Sequence, residues 1–121
     1  MKKVLFAILI GVLCLTIAVP TFAQEDAMCP GHGGDTIASL KLCVDHAYAE
    51  GHITSAATYW TLVVKLNVAQ AAIQRGHPRV AVLVLGAFIR QVRAQSGKTI
   101  HTEHAVHLIE HTQRVIAALR G

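Results

Sequence analysis

The chain of 121 residues carries a formal charge of +4 and 53% apolar side chains, but part of both totals belongs to an N-terminal stretch that reads as a removable export signal. Without residues 1–23 there remain 98, with a charge of +2 and about 48% apolar content, an ordinary value for a globular domain. That length holds one domain and one core. It excludes Rossmann enzymes, barrels and most multi-part enzymes, and the apolar content excludes disorder.

The first element is Met1-Lys2-Lys3, a basic start followed by an apolar run from Val4 to Val19. Pro20 breaks the run, and Thr21-Phe22-Ala23 places small residues where a signal peptidase needs them before Gln24. This is the pattern of a secretory signal peptide, and the run of about 16 residues is short for a stable span of ~20. A lipoprotein reading through Cys14 fits poorly because bulky Leu13 precedes it. Residues 80–85 and 87–89 are apolar but too short to cross a membrane. The expected location is therefore secreted, periplasmic or cell-envelope, with no stable membrane span after cleavage.

Residues 24–34 contain Pro30, Gly31, Gly33 and Gly34 without periodicity and read as an irregular leader. Two cysteines survive signal removal, Cys29 and Cys43. In an exported chain the simplest expectation is a disulfide, closing a loop of about 15 residues and contributing up to ~3 kcal/mol.

Residues 35–121 divide into four helical segments. Asp35 suits the N-cap of the first, Ile37, Leu40, Val44 and Ala47 (with Tyr48) recur at helical spacing, and Gly51 stops it. The second spans about Thr54 to Arg75, with a stripe of Tyr59, Leu62, Leu66, Ala69 and Ile73, Trp60 and Val63 beside it, and Gly76 just past its end. Pro78 suits the first turn of the third, which carries Ala81, Leu85, Phe88 and Val92 and ends near Gly97. The fourth runs from about Thr102 to Leu119, with Ala105, Leu108, Ile109, Thr112, Ile116 and Leu119 on one face. Short connections favour antiparallel neighbours, so the expected fold is all-α, a small up-and-down four-helix bundle.

An ordered set of motifs runs through these segments: Gly51-His52-Ile53-Thr54, then Leu62 to Gly76 (LVVKLNVAQAAIQRG), then Leu85 to Ile100 (LGAFIRQVRAQSGKTI). Together they resemble the FIMAH domain, a helical module usually appended to larger secreted bacterial and archaeal proteins. The likeness covers about Ile37 to Ala118. It implies a non-catalytic helical module and supplies no catalytic residues. The chain departs from that pattern where family members tend to have polar residues and it has Leu83 and Val84. It departs again at Gly86, where asparagine is usual, and at His101, where serine is usual. His104, His107 and His111 stand where alanine and other residues are found.

Eight histidines are the main chemical anomaly. On a helix, His104, His107 and His111 fall within about 60° of one another, with His101 just ahead. Neutral imidazoles so placed can chelate Zn²⁺, Cu²⁺ or Ni²⁺; the bland reading is a solvated stripe whose rings pack against the bundle. His107 to His111 also reads H-x-x-E-H, the inverted zinc-peptidase motif, but a short match in a His-rich helix is cheap and lacks a third ligand. Cys29, His32, Cys43 and His46 make a C-x2-H-x10-C-x2-H set that could hold zinc, in competition with the disulfide.

Arg75, Arg79, Arg90 and Arg93 give a mildly basic side, which with few stacking aromatics excludes nucleic acid as a natural partner. Tyr59 and Trp60 at helical spacing read as core more readily than as a ligand platform. Leu83 and Val84, if both exposed, form an apolar patch on the third helix. The resulting expectation is an exported interaction module without catalysis, binding a protein or cell-envelope component, with a second copy of the chain as a further candidate. The alternative is an envelope metal-binding protein using the histidine stripe, with Zn or Cu as the cofactor.

Overall fold

The computed structural model describes residues 34–121. The expected signal peptide, most of the leader, Cys29 and His32 lie outside them. The described residues form four helices and no strand: α1, Ile37–Ala49; α2, Ala56–Gln74; α3, Pro78–Gln95; and α4, Thr102–Arg120. Each helix packs on the next in the chain, and α4 packs back on α1, closing an all-α up-and-down bundle.

Helix α1 begins one residue later than expected. Thr36, not Asp35, is its N-cap: Thr36 Oγ1 accepts from the Ser39 amide at 3.1 Å, and Ser39 Oγ accepts from the Thr36 amide at 3.3 Å. The two residues are both competent caps, and the reciprocal pair decides between them. Asp35 instead accepts from Arg114 Nε of α4 at 3.1 Å. Both side chains are nearly half exposed, so this pair contributes at most ~1 kcal/mol.

Helices α1 and α2 end by the same device. Gly51 and Gly76 both take φ +80°, a backbone region costly for residues with a Cβ. Past each glycine a histidine amide turns back onto the helix, His52 to the Ala47 carbonyl and His77 to the Ala72 carbonyl, both at 2.8 Å. This is the Schellman termination. Helix α2 starts from Ser55, whose hydroxyl accepts from the Thr58 amide, and α3 starts on Pro78 as expected.

The core is apolar and continuous. It holds Leu40 and Val44 from α1, Leu62 and Leu66 from α2, Leu85, Phe88 and Val92 from α3, and Ala105, Leu108 and Val115 from α4. Two helices depart from expectation in part. On α4 the buried set is Ala105, Leu108, His111, Thr112 and Val115, while Ile109, Ile116 and Leu119 stand half-buried at its margin. The polar members are tolerated because they are satisfied. Thr112 Oγ1, for instance, donates to the Leu108 carbonyl at 2.6 Å. On α2, Trp60 is 60% exposed rather than core. At 100° per residue it lies about 160° from Leu62, which points inward.

The loops after α1 and α3 meet at one end of the bundle. The Thr54 amide donates to the Thr99 carbonyl at 2.8 Å and the His101 amide to the His52 carbonyl at 2.9 Å, bracketing an antiparallel bridge between Ile53 and Ile100. Both isoleucines are buried and cap the core. Phe88 is its largest fully buried side chain. Phe88→Ala is expected to lower unfolding free energy by about 3–5 kcal/mol in urea titration, whereas Leu83→Ser, at an exposed position, changes it by less than about 0.5 kcal/mol. Equal losses in the two variants would contradict this packing.

Candidate functional site

The histidine stripe of α4 does not act as one surface, because it faces two different neighbours. Its C-terminal half points inward. His111 is fully buried, against the expectation of a solvated stripe. Its Nε2 lies 3.1 Å from Ser39 Oγ and 3.3 Å from the Gly34 carbonyl oxygen. A carbonyl can only accept, and the single Ser39 hydroxyl hydrogen is directed to the Gly34 and Thr36 carbonyls, which share it. The network therefore assigns the ring hydrogen to Nε2. Nδ1 faces Cys43 Sγ at 3.3 Å. One donor atom from each of Cys43, His107 and His111 falls within a 4.8 Å group. His111 thus ties α4 to α1 and to the turn before it. Glu110 is exposed, so H-x-x-E-H does not present two histidines and a carboxylate to one cleft.

The N-terminal half of the stripe meets the loop after α1. His101, the N-cap of α4, makes no side-chain capping hydrogen bond. Its Nδ1 stands 3.3 Å from Nδ1 of His52. His104 stacks on His52, with ring centroids 3.7 Å apart and planes 14° from parallel. His104 Nδ1 is buried without a hydrogen-bond partner. Burial, and then the charges of neighbouring His52, His101 and His107, push the His104 pKa below its usual 6.5, against a smaller opposing pull from Glu103. These rings, with Lys98, Thr102 and Glu103, line a shallow depression of about 470 Å³.

Sequence reasoning placed His104 on the helix and His101 just ahead of it, as the structure does, but missed His52, which is 49 residues from His101. Within the C-x2-H set, His46 is half-buried on α1. The histidines that group with Cys43 are His107 and His111.

The α3 surface is the other candidate. Leu83 is 73% exposed, while Val84 is half-buried against the core, so the expected patch contains only the first of the two. Leu83 edges an apolar depression of about 530 Å³ formed with Pro78, Val82 and Leu119 and flanked by Arg79 and Arg120. On α2, Trp60 contacts Tyr59 edge-on at 5.1 Å. Tyr59 is held away from a ligand role: its hydroxyl donates to Asp45 Oδ1 at 2.7 Å, which with burial raises its pKa to about 12, and its ring stacks on Tyr48.

A model of the FIMAH domain matches residues 37–117. The chain belongs to the FIMAH domain family. The match begins at the first residue of α1 and ends within the last turn of α4, so all four helices make up this FIMAH domain. No curated protein and no solved structure matches the chain significantly. FIMAH is a domain of extracellular or surface proteins, and no described helix is long and apolar enough to cross a membrane.

The depressed His104 pKa carries a sign. Below about pH 6.5 the unfolded chain takes up a proton at this ring that the folded domain resists, so stability is lost as pH falls from about 6.5 toward the folded-state value and does not change further below it. Urea midpoints at pH 7.5 and 5.5 should differ less in His104→Gln than in the unaltered domain. An undiminished difference would remove His104 from the pH response.

Proposed function

We propose that this FIMAH domain is an exported, non-catalytic interaction module whose partner is a protein or protein component of the cell envelope. The observation that carries this reading is Leu83. A leucine left 73% exposed beside an apolar depression is costly to keep wet and useful to cover. Arg79 and Arg120 stand at the rim, so the fitting partner element offers an apolar side chain with acidic groups next to it. The family match supports a helical module, and the exported address follows from the reading of residues 1–23 as a signal peptide. The same reading keeps Cys43 as one half of a disulfide with Cys29, fastening the leader to α1.

Non-catalysis rests on the chemistry of the groups that an enzyme would need. His111, half of the peptidase-like motif, has its Nε2 committed to Ser39 and Gly34 in the core. The metal reading survives in altered form. His104, His107 and His111 are divided between two neighbourhoods, so it no longer rests on the stripe as one ligand set.

A photo-crosslinking residue at position 83, introduced in the producing cell, should give one discrete adduct. Arg79→Glu together with Arg120→Glu should abolish it, and the same probe at the exposed Val106 should not form it. With the partner purified, Leu83→Asp should weaken binding at least tenfold, the loss of about 1.4 kcal/mol or more typical of a central contact. An adduct from both positions, or from neither, refutes the assignment of the surface.

A further inference from the structure

We propose that His52 and His101 form a two-histidine site for a tetrahedral divalent cation, with Zn²⁺ as the fitting ion, at the end of the bundle opposite the Leu83 depression. The first support is spacing. Two nitrogens bound to one tetrahedral ion at about 2.0–2.1 Å each stand about 3.3–3.4 Å apart. The two Nδ1 atoms stand 3.3 Å apart. Adjacent positions on a tetragonal Cu²⁺ would bring them to about 2.8 Å, so the observed spacing suits Zn²⁺ better.

The second support is the frame. Neither ring hangs on a free loop. The His52 backbone is fixed on both sides, its amide bonded to the Ala47 carbonyl and its carbonyl receiving the His101 amide. His104 stacks on the His52 ring and fixes its plane. The plane of the His52 ring and the backbone position of His101 are thus set before any ion arrives, which is what a metal site needs from the groups around its ligands. Because the stacked plane of His104 is nearly parallel to that of His52, its lone pair does not converge with the other two, and His104 is a positioning residue. Two coordination positions remain for water.

The third support is what α4 gives up. Serine, threonine, aspartate or asparagine at its N-cap would satisfy an orphan amide, and His101 makes no such bond. The helix start is therefore weaker than it need be, and the imidazole turns instead toward His52. In the metal-free site the two Nδ1 atoms can share one hydrogen. Ligation through both Nδ1 atoms then requires only that each ring carry its hydrogen on Nε2, and the exposed His101 ring can offer that group to water.

This site is independent of the partner reading on α3, and its test leaves that reading untouched. Zn²⁺ alone is titrated calorimetrically into the full chain, purified without a histidine tag, at pH 7.5, and ring ¹⁵N NMR follows each imidazole. The expected result is saturable binding with the Nδ1 signals of His52 and His101 shifting together. His101→Ser should lower affinity at least tenfold while the metal-free Tm stays the same or rises, because serine restores the cap. His52→Gln should lose affinity similarly, and His77→Gln, at an exposed histidine elsewhere, should retain it. Absence of binding, unchanged affinity in His101→Ser, or ring shifts confined to His107 and His111 would overturn the proposal.

Discussion

The arrangement of this bundle depends on two backbone hydrogen bonds that join the loop after α1 to the loop after α3. Helical hairpins alone leave the ends of neighbouring pairs free to slide. Here the Thr54 and His101 amides donate across to the Thr99 and His52 carbonyls, and the register of one hairpin against the other is set at a single residue. Gly51 makes this reachable. Its left-handed turn sends the His52 amide back to Ala47, so the chain leaves α1 with the His52 carbonyl aimed outward at α4. Between these bonds Ile53 and Ile100 close the core, and a polar pairing at the rim protects an apolar seal below it.

Helix α4 shows how polar side chains are accommodated on a buried seam. An imidazole in the core is tolerable only when its nitrogens find partners, since an unpaired buried polar group costs more than the burial returns. His111 meets that condition through Ser39, whose hydroxyl also serves the N-terminal box of α1. One serine thus links a helix cap, the preceding turn and a core histidine from the far end of the sequence. His104 meets the condition less completely. Its stack on His52 is retained, but Nδ1 is buried without a hydrogen bond, and its basicity falls accordingly.

Most of the fold was legible in the sequence because helical period, Gly at two helix ends and Pro at a helix start are local signals. Four helices and their order follow from them. What was not legible has identifiable causes. Asp35 and Thr36 are adjacent residues with equivalent capping chemistry, and only the reciprocal bond with Ser39 separates them. The α4 face was drawn without His111 because hydropathy counts histidine as outward, whereas His111 carries its own partners inward; Thr112 was read on the buried face and lies there. His52 was invisible as a neighbour of His101, since spacing along one helix cannot reveal a contact made across two loops. Leu83 and Val84 are adjacent, and the 100° between them decides that one is wet and the other packed. The FIMAH resemblance was carried by long ordered motifs, and the match over residues 37–117 agrees with it.

The two candidate surfaces lie at opposite ends of α3, an 18-residue helix about 27 Å long. The loop bridge and its histidines sit beyond its C-terminus, and the Leu83 depression sits near its N-terminus, where Pro78 and Arg79 meet Leu119 and Arg120. Between them Leu85, Phe88 and Val92 are fully buried. Groups this far apart without shared partners contribute nearly additively to stability and binding. Coupling between them would need an element with two alternative packings, such as α3 sliding along its axis. The loop bridge opposes that motion, because sliding α3 would displace the Thr99 and His101 backbone from its partners. The same constraint that pairs His52 with His101 therefore favours a rigid module whose two ends work separately.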